Sequence, residues 1–462
     1  MLCRASIDML HDDVLLVIFD FCVHEDPFTK KEIEAWQSLV HVCRLWRSLV
    51  FASPRRLNLR LVCTPGTRVR DTLDVWPALP LCILCDGPTE NVDDIIAALE
   101  RSDRVCQINL KGISSSHLRK VYAAMTGPFP ELTDLLIWWD GTVTTLPDPS
   151  LGGWAPRLRS LWLDHVLFSG LPELLLSATH LVTLCLCEIP HRYISPEVMV
   201  TVLSALTSLR SLLLESMPPP YNPDPESRQP PPLSRSVLPV LTSLKFKGVS
   251  GYLDDLMVLI DAPRLDYLEI TFFNLYVFFT HQVIQFISRT PTLKALEEAH
   301  VTFKGGVARV HLSPRIHGSG ELNVNILCRD LDRQLSSLER VCNPSFPPFS
   351  TLEDLYIHNS VILKLDREDY AENTQWLGLL RTFIAAKNLY LSEEIASRIV
   401  PALKELVGGR ATETLPALQN IFLERLQPSG PVQEGIGQFV AARQDAGHPI
   451  AVTDWARRWG RR

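Results

Sequence analysis

From Val105 onward the chain repeats one phrase, apolar-x-x-apolar-x-apolar. It reads Val105/Ile108/Leu110, Leu132/Leu135/Ile137, Leu158/Leu161/Leu163, Leu181/Leu184/Leu186, Leu209/Leu212/Leu214, Leu241/Leu244/Phe246 and Leu265/Leu268/Ile270. It returns as Leu352/Leu355/Ile357, Ala386/Leu389/Leu391 and Leu418/Ile421/Leu423. The last two apolar positions lie two apart, the strand period, so both point to one side. Helix-like stretches lie between copies, such as "SPEVMVTVLSALTSL", "YLDDLMVLIDAPRL" and "HQVIQFISRTPTL". One strand plus one helix cannot bury its own apolar face, so the units must stack. Proline precedes many copies, as in "FPEL", "APRL", "LPVL" and "LPAL". From about Thr292 to Ser350 the period slips, and "VARVHL" (Val307–Leu312) and "ELNVNIL" (Glu321–Leu327) read as extra strands.

Early copies start roughly every 23 to 32 residues, in or near the range of leucine-rich repeats. The pattern resembles that family and predicts the fold class: an irregular leucine-rich-repeat-like α/β solenoid with a parallel concave sheet, preceded by a short helical module. The Asn or Cys that usually follows the strand is mostly missing, with Asp140, Val166, Ile189 and Met217 in its place. That departure is why the solenoid is expected to be irregular. A generic α/β domain is the competing reading, and ten copies of one phrase argue against it.

The helical module lies in the first 52 residues. "LHDDVLLVIFDF" (Leu10–Phe21) places Asp12 and Asp13 in a first turn, where the helix dipole favours acids. Val14, Leu15, Ile18 and Phe19 form a stripe, while Leu16, Val17 and Phe21 lie off it. A helix apolar on two faces packs against its own domain and a partner at once, unless a large core swallows it. In "AWQSLVHVCRLWRSLVF" (Ala35–Phe51), Trp36, Leu39, Val40, Cys43, Trp46 and Val50 recur at helical steps.

The residues Leu10-x-Asp12-Asp13-Val14-Leu15-x-x-Ile18-Phe19 and Leu39-x-x-Val42-Cys43-Arg44-x-Trp46-Arg47 resemble an F-box, particularly those of mushroom-forming fungi. Two departures stand out. His11 occupies the place of the usual proline, and His24–Ala35 is longer than the usual inter-helix loop. The resemblance implies docking on a Skp-type adaptor, and through it a cullin, with the chain acting as substrate receptor of a ubiquitin ligase. The adaptor-binding residues it implies are Leu10, Val14, Leu15, Ile18, Phe19, Leu39, Val42, Cys43 and Trp46, with Leu10, Val14, Leu15 and Ile18 exposed. Two other readings remain: a small helical cap on the next domain, and a leucine-rich-repeat scaffold not coupled to ubiquitin transfer.

The residue between the last two apolar positions of each copy, and the one two further on, point away from the core. This column names a client-binding face: Leu136, Trp138, Trp162, Cys185, Cys187, Lys245, Glu269, Tyr356 and Tyr390. Its aromatic content suits a binding hot spot better than a solvated sheet face. The competing reading has terminal segments folding over it.

The segments divide as 1–52 helical module, 53–104 linker and first strands, 105–427 solenoid, and 428–462 C-terminal cap or tail. "PPPYNPDPESRQPPP" (Pro218–Pro232) reads as an exposed loop, and Pro218–Tyr221 matches a WW-domain ligand, a pattern that arises easily by chance. The tail "DWARRWGRR" reads either as a basic anchor or nuclear signal, or as an amphipathic helix capping the last repeat.

Composition adds exclusions. A net charge of −7 over 462 residues gives no reason to expect nucleic acid. Eleven cysteines, an odd number, with no glycosylation sequon or signal-peptide layout, point to cytoplasm or nucleus. No apolar run reaches membrane-spanning length, so no membrane partner is expected. No phosphate-binding glycine loop, nucleophile elbow or zinc-protease motif occurs, so neither catalytic residues, cofactor nor metal are expected. Cys82-x-x-Cys85 has zinc-like spacing, but positions three apart on a strand face opposite ways, which favours two buried structural cysteines. Lacking a RING-like Cys/His cluster, the chain has to borrow any ligase activity.

Overall fold

The computed structural model describes residues 10–23, 35–139, 141, 144–146, 150–168, 170–188, 194–215, 235–273, 281–315, 320–342, 349, 351–359, 372–406, 410–425 and 429–455. The proline-rich loop 218–232, with its Pro218–Tyr221 motif, lies outside them. The chain forms two compact units, Met1–Ile189 and Pro190–Arg462.

The first unit opens with three helices, α1 (Asp12–Val23), α2 (Trp36–Val40) and α3 (Arg44–Ala52). Strands follow, most of them separated by short helices: β1 (Leu61–Cys63), α4 (Val69–Val75), β2 (Leu81–Asp86), α5 (Asp93–Leu99), β3 (Val105–Lys111), α6 (Ser115–Ala123), β4 (Asp134–Trp138), β5 (Ser160–Asp164), α7 (Leu171–Ser177) and β6 (Thr183–Cys187). These six strands pair in chain order, all parallel. The repeat thus starts at β1, inside the segment read as linker and first strands.

The second unit runs α8 (Pro196–Ala205), β7 (Ser211–Glu215), β8 (Ser243–Gly248), α9 (Ser250–Leu259), β9 (Tyr267–Phe273), α10 (His281–Arg289), β10 (Glu298–Lys304), β11 (Val307–Ser313), β12 (Glu321–Leu327), α11 (Leu331–Val341), β13 (Asp354–Asn359), α12 (Asn373–Arg381), β14 (Asn388–Leu391), α13 (Glu393–Lys404), β15 (Asn420–Glu424), α14 (Pro431–Asp445) and β16 (Ala451–Trp455). Its strand order is β7-β8-β9-β12-β11-β10-β13-β14-β15-β16.

The proline that precedes many copies has a local cause. Phe129-Pro-Glu-Leu132, Ala155-Pro-Arg-Leu158, Leu238-Pro-Val-Leu241, Ala262-Pro-Arg-Leu265 and Leu415-Pro-Ala-Leu418 all close a turn in which the leucine N–H donates to the carbonyl three residues back. Proline occupies the second turn position, where its fixed φ is already correct. The turn's first residue and its leucine are both buried in every case. The two later apolar positions of each copy are buried as well, so within each unit one sheet face carries a mostly leucine core.

The slipped period is an inserted meander. β11 runs antiparallel to both β10 and β12, while β12 lies parallel to β9 and β10 parallel to β13. One reversed strand between two others restores direction at both seams, so the parallel stack resumes. The β10–β11 hairpin turns on Gly305-Gly306, between Lys304 and Val307, with Gly305 at φ 53. A two-residue hairpin turn needs this left-handed backbone, which glycine adopts without steric cost.

The tail departs from the helical expectation. Asp454 and Trp455 belong to β16, which adds in parallel to β15. The alternation of Ala451–Trp455 is too short to stand alone as a strand; β15 supplies the missing hydrogen-bonding edge. Residues 456–462 lie outside the described set.

Candidate binding faces

In the N-terminal helices the apolar residues divide differently from the sequence stripe. Leu15, Leu16 and Phe19 are buried, whereas Leu10, Val14, Val17 and Phe21 are exposed, Val14 by 46% and Phe21 by 79%. Positions 14, 17 and 21 recur at three and four residues, one helical stripe facing solvent, and Leu10 lies just ahead of the helix. Leu15 and Phe19, expected on the adaptor face, therefore belong to the core. So does Leu39, buried on α2. The reason is Trp46 on α3: its ring lies 4.6 Å from that of Phe19, which turns the 15/16/19 side inward. Ile18 and Trp46 are half-buried. Val42 and Cys43 are exposed, and Cys43 also caps α3, its Sγ accepting from the Trp46 N–H at 3.5 Å. The residues expected from sequence did not include Val17, Phe21 and Leu45, all exposed. Val17 and Phe21 had a signal, as apolar residues off the first stripe.

The helices are anchored to the segment around β1. Trp36 is fully buried and donates from Nε1 to the Arg60 carbonyl at 2.9 Å. Its ring meets Phe51 and Trp76 edge-on at 6.1 and 5.2 Å. Arg56 pairs with Asp13 at 3.2 Å.

On the outward sheet face of the first unit, the register aligns Leu84, Asn109, Leu136, Trp162 and Cys185 in one row, and Asp86, Lys111, Trp138, Asp164 and Cys187 in the next. Trp138 and Trp162 are each 40% exposed, and Leu136 is half-buried. Cys185 and Cys187, expected to face the client, are buried. A thiol is short, its registered neighbour Trp162 is an indole, and the two sulfurs lie 3.4 Å apart, so little of either reaches water.

Cys82 and Cys85 are both buried on opposite sides of β2. Cys82 joins Val62 and Cys106, while Cys85 Sγ approaches the Gly87 carbonyl. The hydrogen bond between the Cys82 and Cys106 sulfurs, 3.8 Å apart, together with burial, pushes the Cys82 thiol well up. Among the described residues no three His, Cys, Asp or Glu side chains converge on a metal position.

In the second unit one outward row reads Leu213, Lys245, Glu269, Asn323, His311, His300, Tyr356, Tyr390 and Phe422. Its charges engage one another. Lys245 and Arg309 flank Glu269 at 3.7 and 3.8 Å, and the Tyr267 hydroxyl donates to Glu269 at 2.9 Å. Burial and that carboxylate push the Tyr267 phenol up to about 12. Lys247 pairs with Glu215.

Beyond the charges the row turns aromatic. His300, Tyr356, Tyr390 and Phe422 stack in succession with centroids 4.4, 4.2 and 4.4 Å apart, and Trp455 stands 5.4 Å from Tyr390. Sequence reasoning missed His300 and His311 because the meander carries them outside the repeat phrase. The ladder is bounded by polar links at the strand starts. Asn420 donates to Asn388 at 2.8 Å, Asn388 to Asp354 at 2.6 Å, and Arg315 Nε to Asp354 at 3.0 Å. Among the described residues of these rows, Trp138 and Trp162 in the first unit are the more exposed aromatic rings, while Tyr356, Tyr390 and Phe422 in the second are half-buried.

No protein-family profile and no curated protein matches the chain. Among solved structures it is similar to the leucine-rich repeat-containing protein LegL7 from Legionella pneumophila, with 14% identity, a TM-score of 0.26, and 82% of this chain and 97% of that one covered. It is also similar to an internalin, InlF, from Listeria monocytogenes, with 13% identity, a TM-score of 0.30, and 93% and 96% covered. No helix among the described residues is long and apolar enough to cross a membrane.

Proposed function

We propose that the chain is a non-catalytic protein-interaction subunit with two working faces. Its N-terminal helices dock on a Skp-type adaptor, and through it on a cullin. Its outward strand faces hold a protein client for ubiquitin transfer. The observation that carries this reading is the exposed stripe Val14, Val17 and Phe21 on a helix whose other side is already packed, with the exposed Leu10 just ahead of it. Large aliphatic and aromatic side chains in one solvent-facing row mark an interaction site. The F-box-like residues around them supply the adaptor as partner.

A second reading has one specific support. The Trp36–Phe51–Trp76 cluster ties the helices to the segment beyond them, as a cap requires. In that case the chain is a repeat scaffold without ubiquitin transfer.

Affinity purification from cells separates the two. A receptor brings down both adaptor and cullin; a scaffold brings down at most the adaptor. On the client side, a Trp138→Ala, Trp162→Ala double variant should keep its circular dichroism spectrum and its adaptor while losing clients. Unchanged client recovery contradicts the face assignment.

A further inference from the structure

We propose that four outward residues of β4 and β5, Leu136, Trp138, Trp162 and Asp164, form a seat for an arginine side chain of the protein client. The proposal rests on the client reading above and names the residue by which the indole face would recognise its ligand.

The register brings the four together. Leu136 pairs with Trp162, and Trp138 with Asp164, across the two strands. The indoles thus stand on one diagonal of a square, with the leucine and the carboxylate on the other. Diagonal neighbours on paired strands lie roughly 7–8 Å apart, room for one flat group between two rings. Each indole is 40% exposed, and among the described residues neither side chain meets another ring or forms a hydrogen bond. In the second unit, by contrast, Tyr356, Tyr390 and Phe422 stack on one another. The two indole faces are therefore open to a ligand in a way that those rings are not.

Charge selects the guest. Indole is the aromatic ring that attracts a cation best. Asp164 adds a carboxylate to the same square. It is 15% exposed, and His165 Nδ1 donates to its Oδ1 at 2.6 Å, which holds it in place. A charge so largely withdrawn from water acts more strongly on a partner than one in open solvent. No lysine or arginine belongs to the square. Lys111 stands on the far side of Trp138, on β3, and beyond β5 the same two rows carry only the buried Cys185 and Cys187. The net charge of −7 over the whole chain adds long-range attraction for a basic partner.

Arginine fits this square better than lysine does. Its guanidinium is flat, stacks on aromatic faces and presents several N–H donors to a carboxylate. Its methylene stem can lie along Leu136 while the charged end reaches Asp164. An acidic side chain would be opposed by Asp164, and a neutral one would gain nothing from it.

The test selects seven-residue peptides from a random phage-displayed library on the full chain, after depletion on a Trp138→Ala, Trp162→Ala variant. Only binders of the indole face survive that step. The survivors are synthesised and titrated by fluorescence polarisation. They should share an arginine, and citrulline in its place, which keeps the shape and removes the charge, should weaken binding at least tenfold. Asp164→Asn should weaken the arginine peptide at least threefold and leave the citrulline peptide unchanged. Trp138→Leu, Trp162→Leu keeps apolar surface but removes the ring faces, so it should shrink the citrulline penalty with the melting temperature held. This second variant decides the matter should Asp164→Asn disturb the fold. If the survivors share no arginine, if citrulline binds as arginine does, or if Asp164→Asn weakens both peptides equally in a folded chain, the arginine seat is overturned and the client face stands. If depletion leaves no peptide at all, the client face falls with it.

Discussion

Val14 and Leu15 are neighbours of similar size, yet one is 46% exposed and the other fully buried. Sequence placed both on one stripe, because an α1 with apolar residues at 14, 15, 16, 17, 18, 19 and 21 does not say which side faces in. Trp46 decides it by meeting Phe19. Trp46→Ala should therefore lower the unfolding free energy by about 3 kcal/mol, the low end for a large aromatic because the ring is only half-buried. Val17→Ser, on the outer stripe, should change it by no more than about 0.5 kcal/mol. Urea denaturation of both variants checks the division.

His311 carries a pH prediction. Burial, and then the neighbouring His300, hold its imidazole below the usual value. The unfolded chain takes a proton near pH 6.5 that the native state refuses, so stability present above that pH is lost as pH falls further. The urea midpoint should fall between pH 7 and pH 5, and His311→Gln should shrink that fall. An equal slope in the variant contradicts the assignment.

At the scale of elements, the strands were the most legible part. The apolar-x-x-apolar-x-apolar phrase dictates strand, inward face and preceding turn together, and proline marks the turn. Whether an outward residue is exposed was less legible, since that depends on its neighbours across the sheet; Cys185 and Cys187 are buried for this reason. β16 was illegible because its five residues become a strand only through pairing with β15. The meander was visible as two extra strands, but its antiparallel order was not, since local sequence does not encode which edge a strand meets. Its turn offers a test. Gly305→Val forces a β-branched residue to positive φ and should cost on the order of 1–3 kcal/mol, read as a lower melting temperature. Gly66→Val, at a glycine with open space around the added Cβ and no positive φ, should cost less. Equal losses would show that the hairpin tolerates the change.

At the scale of the whole molecule, a small helical module precedes repeated strand–helix units, and each has its own proposed partner. The repeat phrase makes the units legible in sequence, because many weak signals at one period reinforce each other. The partners are less legible, since exposure of Val17 and Phe21 appears only once Phe19 has found Trp46. The central claim is that the Val14–Phe21 stripe is a docking surface, and calorimetric titration of the purified chain with a Skp-type adaptor tests it most directly. One-to-one binding by the wild type is expected. A Val14→Asp, Val17→Asp variant should lose at least thirtyfold in affinity with an unchanged melting temperature. A wild type that does not bind, or a folded variant that binds as tightly as the wild type, contradicts the claim.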